Sequence, residues 1–126
     1  MGAIAELEII DQSIVRELMG VVADSDHTFM RELLDGFVRD ATAALARMRR
    51  DVLMNDAPSL AREAHRLKGS SATVGAMRLA ATCFAMERAA KNGVCSGAEV
   101  DAALAILDAT RIGLTQFFRG TIAKAA

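Results

Sequence analysis

A single proline, Pro58, occurs in a chain of 126 residues that contains 25 alanines. β-Sheets favour β-branched and aromatic residues and need frequent turn residues, whereas this chain has five phenylalanines and neither tyrosine nor tryptophan. Alanine is the strongest helix former, and proline is the strongest breaker of a helix interior. The sequence therefore predicts an all-α fold.

Apolar residues recur at spacings of three and four along five segments, which is the pattern of helices that bury one face. The second segment would form a helix about 44 Å long, a length that suits the long hairpin of a helical bundle. Asp11 can cap the first helix through its side chain. The predicted helices span residues 11–22, 26–54, 57–75, 76–91 and 96–120.

Local signals mark where these helices begin and end. Pro58 is tolerated in a first helical turn, because the N–H that it lacks would be unpaired there. The Asn92-Gly93 pair is a strong helix stop. Ser96 and Glu99 form the capping-box pattern that opens the last helix, and we expect Gly120 to close it.

Short connections between long helices predict an up-and-down antiparallel four-helix bundle, here with an additional short N-terminal helix. We expect one domain, residues 11–120, preceded by an N-terminal extension, residues 1–10. Residues 121–126 are expected to form a loosely held C-terminal tail. The sequence contains no internal repeat and no low-complexity linker that would divide the domain.

Charge and composition exclude several classes of function. The net charge is −1, so neither nucleic acid nor a membrane surface is an expected partner. No apolar run is long enough to span a bilayer, and the first ten residues lack the basic segment of an export signal. Two histidines and two cysteines leave little for a metal site. We expect a cytoplasmic protein in which Cys83 is a core residue and Cys95 a loop residue.

The segment around His65 carries the chemistry. His65 lies one residue off the apolar stripe of the third predicted helix, so its ring is expected on the flank, exposed. Gly69, one turn further on, costs about 1 kcal/mol relative to alanine in a helix interior, and close approach of a partner would explain it. Residues three or four positions from His65, and the residue seven positions after it, share its face. They are Ala61, Arg62, Lys68, Gly69 and Ala72.

This segment is also locally basic. From Arg62 to Arg78 the chain has four basic residues, Arg62, Arg66, Lys68 and Arg78, against one acidic residue, Glu63, which gives +3. Such a patch around an imidazole would attract an acidic partner or a phosphoryl group. A lone histidine on a helix is nevertheless most often an ordinary surface residue, and the chain's other histidine, His27, is assigned no role.

Residues 65–76 read HRLKGSSATVGA. They resemble the signature of the histidine-containing phosphotransfer (HPt) domain, in which His-x-Leu-Lys-Gly-Ser-Ser precedes an apolar residue, a glycine and a small residue. The resemblance covers roughly residues 11–120 and implies a four-helix antiparallel bundle with an extra N-terminal helix. It also implies a phosphocarrier that takes a phosphoryl group from a receiver-domain aspartate onto His65 and passes it to another receiver aspartate.

The resemblance also implies roles for individual residues. His65 would attack phosphorus through Nε2 as a covalent nucleophile, and Lys68 would balance the phosphate charge. Glu87, on the following helix, would accept a hydrogen bond from Nδ1–H and so leave Nε2 free. An ordinary surface carboxylate remains the alternative for Glu87. Receivers of response regulators or of a hybrid sensor kinase would dock over Ala61, Arg62, Arg66, Gly69, Ser70 and Ala72.

Ser71 is expected to face the core, and Ser70 to hydrogen-bond locally. The family's Mg²⁺ belongs to the receiver, so no cofactor is expected in this chain, which we expect to be a monomer. No Gly-rich phosphate loop or Walker lysine occurs in the sequence, so the chain would be a histidine phosphotransferase intermediate without autokinase activity.

Three alternatives remain open. Sensor kinases carry their histidine on a dimerising hairpin, but their pattern has an acidic residue after the histidine and a proline downstream. Here Arg66 follows His65, and no proline follows it. The chain could also be the phosphorylatable domain of a chemotaxis-type histidine kinase, or a non-phosphorylated helical adaptor that docks receiver domains.

Overall fold

The computed structural model describes residues 8–21 and 27–125, and these residues form five α-helices and no strand. The predicted all-α class is confirmed. Three predictions fall on residues outside the described ones. They are the end of the first helix at Val22, the break at residues 23–26 and the start of the second helix at Asp26. The helices are α1 (Gln12–Val21), α2 (His27–Leu53), α3 (Ala57–Thr73), α4 (Met77–Lys91) and α5 (Gly97–Ala125).

The ends of the helices follow local chemistry. The Asp11 carboxylate accepts hydrogen bonds from the backbone N–H groups of Ser13 and Ile14 (3.0 and 3.3 Å) and so caps α1, as predicted. The Asp56 carboxylate does the same for α3 by accepting from the Ser59 N–H at 3.1 Å. A side-chain oxygen at this position satisfies a backbone donor that the helix itself leaves unpaired.

The predicted signals also mark the C-terminal end of α4 and the N-terminal end of α5. Helix α4 stops at Lys91, directly before Asn92 and Gly93, and Gly93 has a φ of 82°. At the start of α5 the Glu99 N–H donates to Ser96 Oγ at 3.4 Å.

The predicted end of the last helix at Gly120 is wrong, because α5 continues to Ala125. Glycine weakens a helix interior by about 1 kcal/mol but does not break it. A side chain at Gly120 would meet no neighbouring atom within 4 Å, so no packing contact requires a glycine there. Without a proline or a turn-forming pair after Gly120, the helix goes on through the segment predicted as a loose tail.

Helices α3 and α4 pack closely along each other, α2 packs against α3 and α5, and α5 also contacts α4. This is the predicted bundle of four antiparallel helices joined by short turns. Alanines at its centre allow the helices to approach, while larger apolar residues fill the space between them. The largest apolar side chains with 1% exposure or less are Leu45, Met48, Leu60, Leu79, Met86 and Val100. No helix in the described part of the chain is long and apolar enough to cross a membrane.

The additional N-terminal helix packs over the turn between α3 and α4. Ile10 and Val15 form a small buried cluster with Leu114 of α5, and the Asp11 N–H donates to the carbonyl of Gly75 at 2.7 Å. Gly75 has a φ of 79°, and a Cβ there would lie 3.0 Å from the Asp11 carbonyl oxygen. Gly75 is the last residue of the third predicted helix, residues 57–75, and the observed helix ends just before it, at Thr73. The structure adds that Gly75 gives the N-terminal helix room to dock.

We expect Gly75→Ala to lower the free energy of unfolding by about 2 kcal/mol, because alanine is strained at positive φ and its Cβ crowds the start of α1. Urea unfolding followed by circular dichroism measures this change. Gly69→Ala is the matched control, since Gly69 lies inside α3 with open space around it. It should raise the free energy of unfolding by about 0.5–1 kcal/mol. Equal effects of the two substitutions would contradict the assigned role of Gly75.

Candidate functional site

The position of His65 follows from the buried stripe of α3. Leu60, Ala64, Leu67 and Ser71 face the core, and His65 lies on the flank between that stripe and the solvent. Its side chain is 66% exposed. The ring therefore lies at the surface, as predicted, while the helix that carries it is fixed by core packing.

The Glu87 carboxylate of α4 lies directly beside this ring. Glu87 Oε2 is 2.8 Å from His65 Nδ1, and Oε1 accepts a hydrogen bond from Lys68 Nζ at 2.8 Å. Lys91 Nζ lies 3.1 Å from Oε2. The Glu87 side chain is only 4% exposed, so the surface-carboxylate interpretation does not describe it.

The lysines keep Glu87 ionised. The Lys68 ammonium is the largest influence and, together with Lys91 and His65, it lowers the pKa of Glu87 to about 2 although burial opposes this change. An ionised carboxylate can only accept hydrogen bonds. The Nδ1 that faces it must therefore carry a hydrogen. In the neutral ring this assigns the tautomer from the hydrogen-bond network and leaves the lone pair on Nε2.

Two residues of this cluster were missed by the sequence analysis. Lys91 follows Glu87 by four residues, and this spacing, which favours a Glu–Lys pair on one helix face, could have indicated it. Phe84 is exposed, and Lys68 Nζ lies 5.2 Å from the centre of its ring. No local pattern distinguishes Phe84 from the phenylalanines that pack in the core.

The surface around His65 is open. Gly69 and Ala72 are exposed, and a side chain added at Gly69 would meet no neighbouring atom within 4 Å. Packing inside the molecule therefore does not require the glycine. Arg62 is exposed on the same helix. The small side chains of Gly69 and Ala72 thus leave the imidazole accessible on this face.

Ala61 was predicted on the docking face, and this prediction is wrong. It is 9% exposed and belongs to the core cluster. The helical spacing that relates Ala61 to His65 also relates it to Ala64 of the buried stripe, and Ala61 lies on a helix that packs closely along α4. A partner that docks over His65 therefore has no access to Ala61.

Arg66 and Ser70 lie on the opposite flank of α3, which faces α2. Both line a surface groove between the two helices, where Glu63 lies 3.2 Å from Arg47 and 4.0 Å from Arg66. Ser70 Oγ donates to the Leu67 carbonyl at 3.2 Å, the local bond that was predicted. The predicted docking residues therefore divide between two flanks of one helix.

The remaining residues singled out from the sequence lie near their expected places. Ser71 is fully buried, Cys83 is buried and Cys95 is half-buried. Burial raises the pKa of the Cys83 thiol to about 12, so this thiol is not a nucleophile near neutral pH. The local charge of +3 is partly offset in space, because Glu87, which lies outside residues 62–78, pairs with Lys68.

A family model described as Hpt domain matches residues 32–117. Among solved structures, histidine-containing phosphotransfer protein B (HptB) from Pseudomonas aeruginosa PAO1 is similar, with 26% identity and a TM-score of 0.79; the match covers 90% of this chain and 97% of that one. The histidine phosphotransfer protein Ypd1 of Saccharomyces cerevisiae, crystallised with the receiver domain of its downstream response regulator Ssk1, has the same fold. The match with Ypd1 has 21% identity and a TM-score of 0.61, and it covers 94% of this chain and 94% of that one. No curated protein matches the sequence.

We expect Glu87→Gln to remove a pH-dependent part of the stability. The folded-state pKa of about 2 lies below the ordinary 4.5. The stabilisation that Glu87 contributes is thus complete above pH 4.5 and is lost as the pH falls towards 2. Denaturant unfolding across this range should show the variant about 1–2 kcal/mol less stable than the wild type at neutral pH, with the difference shrinking in acid.

Asp108→Asn is the control for this experiment. Asp108 is an exposed carboxylate that pairs with Arg111 at 2.9 Å, and an exposed pair of this kind contributes at most about 0.5 kcal/mol. A constant difference between wild type and Glu87→Gln from neutral pH down to pH 2 would contradict the assigned ionisation of Glu87.

Proposed function

The chain belongs to the Hpt domain family, and on that premise we propose that it is a phosphorelay phosphocarrier whose His65 takes a phosphoryl group from one receiver-domain aspartate and passes it to another. The observation that carries the proposal is the pairing of an exposed imidazole with a buried, ionised carboxylate: His65 is 66% exposed and its Nδ1 lies 2.8 Å from Glu87. The family membership confirms the resemblance seen in residues 65–76.

The geometry supports a direct in-line transfer. The lone pair of Nε2 attacks the phosphorus of the aspartyl phosphate, a P–N bond forms as the acyl P–O bond breaks, and the aspartate leaves as a carboxylate. The ring keeps its Nδ1 hydrogen throughout, so the phosphohistidine carries a positive charge that faces Glu87. In the second transfer a receiver carboxylate attacks the phosphorus, and the P–N electron pair returns to Nε2.

Lys68 is proposed as the residue that balances the charge of the phosphoryl oxygens. Its ammonium lies on the same edge of α3 as His65 and is held by Glu87 Oε1 at 2.8 Å. An ammonium has three donors, so Lys68 can keep this bond while it offers another hydrogen to a phosphoryl oxygen. Because little covalent chemistry is needed in such a transfer, positioning and charge balance are the main contributions of the protein.

The role of this chain is proposed to be that of an intermediate without autokinase activity, since its sequence lacks a Gly-rich phosphate loop. The Mg²⁺ of the transfer is assigned to the receiver.

One chain supplies His65, Lys68 and Glu87, so a monomer suffices for the chemistry. We place the protein in the cytoplasm, which agrees with the free thiols of Cys83 and Cys95.

Incubation with receiver domains phosphorylated by acetyl phosphate should place an acid-labile, base-stable phosphate on the wild type. His65→Gln should take up none, because glutamine lacks the nucleophilic nitrogen. His27→Gln is the matched control at the chain's second histidine and should be labelled like the wild type. Labelling of the His65 variant at the wild-type level would overturn the proposal, as would labelling of the wild type from ATP alone.

Lys68→Ala should lower the limiting rate of transfer at saturating receiver by about tenfold or more, because one charge that stabilises the phosphoryl oxygens is lost. Lys68→Arg should restore part of the rate. Arg49→Ala is the control, since Arg49 is an exposed cation of α2 that pairs with Asp101 of α5. Rapid-quench measurement of the phosphorylated chain checks all three variants, and an unchanged rate in Lys68→Ala would remove Lys68 from the site.

A further inference from the structure

Phe84 is an exposed aromatic residue next to the phosphorylation site. It lies on α4, one turn before Glu87, and is 47% exposed. By contrast, Phe37 and Phe118 are buried in the bundle. About half of the surface of this side chain is therefore open to a partner, and aromatic residues are enriched where protein surfaces meet.

Two cations flank this ring. Lys68 Nζ lies 5.2 Å and Arg88 Cζ 5.7 Å from the ring centre, distances at which a cation is attracted to the face of an aromatic ring. Lys68 also binds Glu87, which in turn binds His65 Nδ1. One lysine therefore connects the ring to the carboxylate that orients the nucleophile.

The surface next to Phe84 is cationic. Arg88 and Lys91 are exposed on the same helix, whereas Glu87, the acidic residue directly before Arg88, is almost completely buried. A partner thus meets an apolar ring surrounded by positive charges. The complementary surface is an apolar depression beside carboxylates.

A receiver that exchanges a phosphoryl group with His65 must also cover this region. A standard protein interface buries about 800 Å² on each partner, which extends well beyond one side chain. Phe84 is linked to His65 through its contact with Lys68 and the bonds of Lys68 and His65 to Glu87. Truncation of a central aromatic residue is among the most costly changes in such interfaces.

We propose that Phe84 is a docking anchor for the receiver domain, inserting its ring into an apolar depression beside the receiver's acidic phosphorylation site while Lys68 and Arg88 face the carboxylates. This rests on the proposed function and adds a binding determinant to it. Phe84 takes no part in the chemical step, so its contribution appears in the affinity of the encounter.

Transfer rates against receiver concentration test this role. Phe84→Ala should raise the concentration of phosphorylated receiver for half-maximal rate by about tenfold, with the limiting rate within about twofold of the wild type. Phe84→Leu keeps an apolar side chain, so its receiver concentration for half-maximal rate should lie between those of the wild type and Phe84→Ala. Ile112→Ala is the matched control, because Ile112 is a 42% exposed apolar residue on α5 and should behave as wild type.

A small phosphodonor separates docking from chemistry. Phosphoramidate can transfer its phosphoryl group to Nε2 with loss of ammonia and needs no protein surface. Phe84→Ala should therefore react with it at the wild-type rate. Circular dichroism of the same variant should match the wild type, because the ring is outside the core.

The outcomes distinguish the two proposals. Transfer from receivers to the wild type, with Phe84→Ala indistinguishable from it, would overturn the docking role and leave the phosphocarrier function intact. An equal loss of rate with phosphoramidate would place Phe84 in the chemistry and also overturn the docking role. A wild type that reacts with phosphoramidate but with no receiver would overturn the phosphocarrier function and the docking role together.

Discussion

The buried carboxylate of Glu87 is the interaction on which the site depends. Removing a charge from water is costly unless it is paired and hydrogen-bonded, and here His65, Lys68 and Lys91 provide the pairing on both oxygens. The same bonds hold the His65 ring, since an ionised acceptor at Nδ1 leaves Nε2 of the neutral ring with its lone pair. The contact between α3 and α4 and the orientation of the His65 ring thus have one physical source.

The bundle holds these groups on helices that core packing keeps in place. His65 and Lys68 lie on an exposed edge of α3, while Leu67 between them is buried. A transfer that needs positioning and charge balance suits such a rigid platform. The surface at Gly69 is open, and the exposed ring of Phe84 contacts Lys68 beside it.

Much of the helical framework could be predicted because its signals are local. Asp11 caps α1 as predicted, and the Asn92-Gly93 pair follows the last residue of α4, since capping and positive φ depend on a few neighbouring residues. The predictions for Gly120 and Ala61 were wrong because local signals did not decide the structure there. Gly120 is a weak local signal that the helix overrides, and Ala61 shares its helix face both with His65 and with the core, so only the position of α4 decides between them.

By itself the sequence determined five helical segments, an exposed flank for His65 and a basic lysine one turn away, because helix periodicity acts within a single segment. Only the tertiary structure decided that Glu87 is buried and bonded to His65, 22 residues away, and that Phe84 and Lys91 lie at the same site. These contacts depend on the axial register and rotation of α4 against α3. Close packing of the whole core sets that register, and no spacing within either helix specifies it.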